Sequence, residues 1–303
     1  MKTAKIIQIV CWSLLAVILI GVVAYAIINR SEDSEHSLLW PEFSDWDDIR
    51  GNSGGDSRGS GRRYSGDTYT VSAGGVKNIS VEWVSGNVDI VPYNGSDITF
   101  TETCGSPIDE DEKLVYEVKG DTLVIKYRKN DPVFTFGRVF DSKSLTLKVP
   151  ESLAKKLGKL RVNAVSAEIS SNGLAAESAV IETVSGDIRL DGYEAGEMKF
   201  TTVSGRVEAE GKFNEVESES VSGSVKIYDS VCPEKVKIQT ISGNAELNIP
   251  ENDGFRVEYD KVSGSFECDF PITTSKNSGT YKEGGASFEM ETVSGSLKIT
   301  KRV

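Results

Sequence analysis

Val184-Ser185-Gly186-Asp187-Ile188-Arg189-Leu190 is one copy of a unit whose recurrence decides how the whole chain reads. The tripeptide or a near copy occurs eight times, at Val84-Ser85-Gly86, Val165-Ser166-Ala167, Val184-Ser185-Gly186, Val203-Ser204-Gly205, Val221-Ser222-Gly223, Ile241-Ser242-Gly243, Val262-Ser263-Gly264 and Val293-Ser294-Gly295. From Ser166 to Ser263 the serines step by 19, 19, 18, 20 and 21 residues. The first and last gaps, 81 and 31, leave room for insertions. A fixed period of this size marks a repeat architecture, in which each unit buries its apolar face only against its neighbours.

The unit extends beyond the tripeptide. With its Val counted as zero, positions +4 and +6 are mostly apolar, as in Ile188/Leu190, Val225/Ile227 and Leu297/Ile299. So are positions −5 and −3, as in Leu160/Val162, Val236/Ile238 and Phe288/Met290. Steps of two within each pair mean β-strands with one buried face. The step from −3 to 0 is odd, which places a bend at −2 and −1, where Glu182-Thr183, Glu219-Ser220 and Gln239-Thr240 are polar. On this reading the Val, the Gly and the +4 and +6 residues form interior columns. The Gly points into a crowded corner that admits only hydrogen or methyl, as Ala167 illustrates. The Ser faces solvent or bonds to the turn backbone.

The fold class expected is all-β: a single-stranded β-solenoid of about 19-residue coils, preceded by one transmembrane helix. A leucine-rich repeat would need a Leu-x-x-Leu-x-Leu frame and an Asn column. A β-propeller would need a period of about 40–45 residues. Residues 97–150 interrupt the coils with strand-like alternations joined through Gly120-Asp121, which reads as a β-hairpin insertion at the start of the stack. Pro150 to Leu157 reads as a short helix or turn, and Pro271 to Ala286 as a polar excursion in the last coil. No capping segment is read after Ile299, unless Pro271–Ala286 folds over the last coil. The C-terminal coil, with Leu297 and Ile299, therefore reads as an open ladder end able to pair with another chain.

Residues 1–30 read as a cytoplasmic stub and an anchor. Ile6 to Ile28 is almost unbrokenly apolar and spans about 34 Å as a helix, enough for a hydrocarbon core of about 30 Å. Lys2 and Lys5 precede it, whereas Glu32, Asp33 and Glu35 follow Arg30, so the main domain is expected outside the cell membrane. Ala24-Tyr25-Ala26 resembles a signal-peptide cleavage site, but the apolar run exceeds the usual length of such a region. Residues 31–66 read as a flexible Gly/Ser/acidic linker, and residues 67–303 as the extracytoplasmic domain. Trp40 to Trp46 in the linker carries aromatics among acids, which suits either a docking motif or a plain tether.

Charge and composition exclude several functions. With 34 Lys+Arg against 46 Asp+Glu, the net charge is −12, which disfavours nucleic acid and anionic lipid headgroups. The single histidine, His36, lies in the linker, so histidine-dependent catalysis has no base in the folded domain. Asp109-Glu110-Asp111-Glu112 lacks the spacing of a calcium loop. Cys104, Cys232 and Cys268 form no zinc or redox motif. Cys268 occupies an apolar column, and a Cys104–Cys232 disulfide stays open. The Ser of the repeat is not a nucleophile elbow, because catalysis needs one site and not eight. No catalytic, cofactor-binding or metal-binding residue is assigned, and no cofactor or small-molecule substrate is expected.

The recurring Val-Ser-Gly-x-Val-x-Ile unit, and the ending Phe288-Glu289-Met290-Glu291-Thr292-Val293-Ser294-Gly295-Ser296-Leu297-Lys298-Ile299, resemble the bacterial β-strand-repeat family known as domain of unknown function 4097, often called adhesin-like. The resemblance covers about Tyr69 to Thr300. It implies a β-solenoid in the bacterial envelope, sometimes linked to envelope stress, and it carries no catalytic residues. The leading expectation is a non-enzymatic, membrane-anchored module that binds a protein or itself. The alternative is a cell-wall carbohydrate-binding or carbohydrate-active β-helix. That would need exposed aromatics, for which Trp83 at a corner and Tyr193, Tyr228 and Tyr281 in loops are the candidates.

Overall fold

The computed structural model describes residues 64–110, 112–128 and 142–302. The apolar run Ile6–Ile28 and the linker through Arg63 lie outside the described residues. Among those described, no helix is long and apolar enough to cross a membrane.

The chain is all-β apart from one helical turn. It opens with β1 (Tyr64–Ser72), β2 (Asn78–Tyr93), β3 (Asp97–Cys104), β4 (Val115–Lys119), β5 (Thr122–Lys126) and β6 (Lys143–Pro150), followed by α1 (Glu151–Ala154). The run of coils holds β7 (Leu157–Asn172), β8 (Ala175–Ser185), β9 (Ile188–Ser204), β10 (Val207–Ser222), β11 (Val225–Asp229), β12 (Lys235–Ser242) and β13 (Ala245–Ile249). The last part comprises β14 (Gly254–Ser263), β15 (Phe266–Cys268), β16 (Thr273–Ser275), β17 (Ser278–Lys282), β18 (Ala286–Ser294) and β19 (Leu297–Lys301).

One coil shows how the repeat folds. Val236, Ile238 and Thr240 are buried, while Lys237, Gln239 and Ile241 between them are only half-buried. After Ser242-Gly243-Asn244 the alternation resumes with Ala245, Leu247 and Ile249 inside. The period-two pattern therefore continues unbroken through −1, and the chain turns at the Ser-Gly pair. This corrects the expected bend at −2 and −1. Position −1 belongs to the core, filled by small side chains such as Thr183, Thr202, Ser220, Thr240 and Thr292. The Val at zero is displaced to the outside. The step between the inward positions −1 and +4 is five, an odd number, and the three corner residues absorb that change of parity.

The glycine of the corner is where backbones come closest. A Cβ on Gly186 would lie 2.0 Å from the Ala167 carbonyl oxygen, and one on Gly223 would lie 1.9 Å from that of Gly205. Gly186 also has φ +141°, which L side chains rarely adopt. The expectation of a crowded glycine column holds, but the obstacle is a neighbouring coil's carbonyl and not a side chain.

Layers stack in parallel and in register, with Ser85 beside Ser166, then Ser185, Ser204, Ser222 and Ser242. The next layer is not the next in sequence. Ser242 pairs with Ser294, and Ser294 in turn with Ser263. The C-terminal coil (β18 and β19) is thus inserted between the coil of β12 and β13 and the coil of β14 and β15. Leu297 and Ile299 are fully buried, so the expected open end at the C-terminal coil is overturned. The outermost coil is the one ending at Cys268. Pro271–Ala286 folds over it as a hairpin, β17 lying antiparallel on β14 and β16 on β17.

The opposite end is built the same way. The insertion at 97–150 returns so that β5 and β6 pair in parallel with β2, on the edge opposite β7. Antiparallel strands then cover this layer: β4 on β5 through the Gly120 turn, β3 on β6, and β1 on β3. Pro150–Leu157 contains the expected short helix.

Candidate interaction surface

Eight outward valine-type residues, one per coil, form a ridge along the outside of the stack. They lie between the inward −1 column and the Ser column, whose ladders are continuous from β2 to β14. Val165, Val184, Val203, Val221, Ile241 and Val293 are half-buried and do not belong to the hydrophobic core. The last one, Val262, lies in the terminal layer and is 53% exposed. With layers about 4.8 Å apart, seven steps make the ridge about 34 Å long.

The two flanks of the ridge differ. On the −2 side stand Glu182, Glu219, Glu291 and Asp260. Arg161 Nη1 lies 3.4 Å from Glu182 and Lys199 Nζ 3.7 Å from Glu219. Gln239 donates to Glu291 at 2.6 Å. Burial raises the Glu291 carboxyl above its usual range despite that bond, and Glu289 and Asp260 add to the rise. On the other side the serine hydroxyls from Ser166 to Ser294 are exposed.

The terminal coil is closed off by a charge. Lys261 takes the −1 position that five inner coils fill with Thr or Ser, and its Nζ donates to the Gly264 carbonyl at 2.8 Å. In every inner layer that carbonyl faces the glycine of the next coil. A lysine at a sheet edge opposes further stacking. Tyr259 and Phe266 stack face to face there at 3.9 Å. Cys268 in the same layer is half-buried, where the sequence suggested full burial.

The sequence-derived candidates fare unevenly. Trp83, the expected exposed aromatic, is 1% exposed; its Nε1 donates to the Lys143 carbonyl at 2.9 Å. Tyr193 and Tyr281 are buried as well, so the aromatic platform that a carbohydrate site would need does not form from them. Cys104, Cys232 and Cys268 are all free thiols, which rules out the Cys104–Cys232 bridge. Among the described residues no group of three or more His, Cys, Asp or Glu could hold a metal ion.

Two further sites escaped sequence reading. Lys143 is buried at the first cap, and its Nζ donates to Glu102 Oε2 at 3.0 Å and to the carbonyls of Glu112 and Tyr127 at 2.6 Å each. It also lies 3.9 Å from the centre of the Tyr127 ring. Burial draws the Lys143 ammonium below the usual lysine range, and the Glu102 carboxylate opposes that. An open groove on the β11, β13 and β19 face is lined by Arg206, Lys226, Asn244, Glu246, Ser296 and Lys298. Its three cations outnumber its one carboxylate, Lys298 lies 3.8 Å from Glu267, and Asn244 spends its oxygen on Ser296.

Several solved structures are similar to the chain. A candidate adhesin from Bacteroides fragilis shares 16% identity over 79% of this chain and 98% of its own, with a TM-score of 0.47. A candidate lipid-binding protein from Parabacteroides distasonis shares 17% over 80% and 98%, with a TM-score of 0.42. A candidate cell adhesion protein from Clostridium sporogenes shares 13% over 80% and 100%, with a TM-score of 0.39. Likenesses at this level assign no ligand to this chain. Among curated proteins none matches. The Toastrack DUF4097 family model matches residues 76–232, which run from the edge of the first coil to the β11–β12 loop and make up just over half of the chain. With the eightfold Val-Ser-Gly repeat and its stacked coils, this chain belongs to the Toastrack DUF4097 family.

Proposed function

We propose that the chain is a membrane-anchored β-solenoid that works without catalysis, as an adhesin-like protein-interaction module on the outer side of the cell membrane. The observation that carries this reading is the outward apolar ridge. All eight coils keep Val or Ile at this position, and only Val84 of the first coil packs against the core. A continuous apolar strip rimmed by polar columns is the usual mark of a contact surface. The apolar run Ile6–Ile28 and its charge flanks support the anchor and the outward orientation. Membrane lipid is met only through that helix, and the acidic domain repels anionic headgroups and nucleic acid.

The test is cross-linking and affinity capture of the full-length protein in its native membrane, with mass spectrometry of what is held. The parent chain is compared with a Val203→Asp, Ile241→Asp double variant, whose changes lie outside the core. A defined protein partner, whether another protein or a second copy, should be held by the parent and lost in the variant. Equal capture by both would overturn the ridge as the contact surface.

A further inference from the structure

We infer that the partner of the ridge is a second copy of this chain, laid side by side and parallel, with a two-fold axis along the stack. The inference rests on the reading of the ridge as a contact surface and names its occupant.

Spacing is the first argument. The ridge presents one branched apolar side chain about every 4.8 Å. A helix lying along it repeats about every 5.4 Å and slips by about 4 Å over seven steps, nearly a whole layer. An extended strand along it offers same-face side chains about every 6.6 Å. Only another stack of β-layers matches the period over the full length, so that its valines meet these layer by layer. The ridge of a second copy is such a stack.

Charge selects the orientation. If the two stacks ran antiparallel, the first layer would meet the last and the −2 columns would face each other, bringing Asp260 directly against Glu82 and setting Glu182, Glu219 and Glu291 against a column of the same sign. In the parallel arrangement each −2 column meets the partner's exposed serine column, whose hydroxyls donate to carboxylates. Parallel stacks also start at the same end, as two chains held in one membrane by residues 6–28 would. Anchoring in a common plane raises the effective concentration of one ridge at the other, so a narrow contact suffices.

The ends of the molecule favour the side as well. One end is covered by β1, β3 and β4, and the other by Lys261 on the Gly264 carbonyl and by the β16–β17 hairpin. Stacking end to end is therefore opposed, whereas no described element covers the ridge.

Single cysteines report the arrangement in the full-length chain in its membrane, with the parent chain as control for its native thiols. Val165→Cys and Val293→Cys lie five layers apart, about 24 Å. Under mild oxidation each variant should form a disulfide-linked dimer with itself, because a parallel two-fold axis places every layer against its own copy. Glu177→Cys, away from the ridge, should not. Linkage only when the Val165→Cys and Val293→Cys chains are mixed would overturn the inference in favour of an antiparallel pair. No ridge linkage at all would overturn self-pairing outright. If capture of a different protein is still lost in the Val203→Asp, Ile241→Asp variant, the ridge remains a contact surface and only its occupant was misassigned. An unchanged thermal transition in the cysteine variants shows that the coils remain folded.

Discussion

At the scale of single residues, the glycine column sets the limit on how closely coils approach. Gly186→Ala would place a methyl group 2.0 Å from a backbone oxygen at φ +141°, so the backbone must shift to accept it. A loss of about 2–4 kcal/mol is expected, read from the urea midpoint. Ala167→Gly should cost no more than about 1 kcal/mol, because Ala167 lies outside the positive-φ set. Asp229 makes a different prediction. It is fully buried and accepts from the backbone N–H of Val231 at 3.0 Å and of Phe213 at 3.3 Å. Burial pushes its carboxyl up from 3.8 to about 6, against those donors. The folded chain therefore holds a proton that the unfolded chain has already released between these two pH values. The stability from this group is full below pH about 4 and is lost as pH rises through about 6. The change amounts to about 3 kcal/mol at most. Denaturation followed from pH 4 to 7.5 should show this decline, and Asp229→Asn should flatten it. The glycine constraint was legible from the tripeptide alone. The titration of Asp229 was not, since nothing in the run Tyr228-Asp229-Ser230 marks a carboxylate as enclosed by neighbouring coils.

At the scale of elements, the first cap depends on a polar cluster inside an apolar frame. Glu102 on β3 and Lys143 on β6 are brought together by antiparallel pairing, with Cys104 opposite Lys143 in the register. Glu102 also accepts from the Leu114 backbone N–H at 3.1 Å, so the pair ties β3, β6 and the approach to β4 together. Lys143→Met would leave the buried Glu102 carboxylate without its cation, at a cost of about 3–5 kcal/mol. Replacing both residues by well-packed apolar ones should restore much of the loss, and thermal denaturation of the single and double variants separates the two outcomes. The hairpin through Gly120-Asp121 was readable because its turn chemistry is local. The ion pair was not readable, because its members are 41 residues apart and meet only through strand register. Trp83 shows the same contrast. Its −1 place was clear in the sequence, but the parity that turns −1 inward depends on where the chain bends.

At the scale of the whole molecule, the order of layers governs how the stack fails. The C-terminal coil is an inner layer, between β12 and β14. Truncation after Gly285 should therefore not simply remove a terminal coil. It takes away the layer on which β14 and β15 rest, and leaves Ile238 and Leu247 uncovered at the end of the remaining stack. The expected result is protease sensitivity across residues 254–285 and a loss of β-structure larger than the deleted segment, measured by limited proteolysis and far-ultraviolet circular dichroism. If only the deleted residues' share were lost, the inserted order would be refuted. The same interlocking at both ends, where a late segment is enclosed by an earlier one, gives the stack ends that do not unwind coil by coil.

Periodicity in the sequence alone determined that the chain is a stack of β-coils, which positions of the repeat share a column, and that glycine is needed at the corner. Those properties repeat within about twenty residues, so a local pattern carries them. Only the tertiary structure decided that the conserved-looking valine of each unit lies outside, because a change of parity at the corner is invisible until the turn is located. It also decided that the last coil lies inside the penultimate one. The coils present similar edges to one another, except that of β14 and β15, where Lys261 stands at −1 with its Nζ on the Gly264 carbonyl, so a further layer is opposed there and this coil lies outermost.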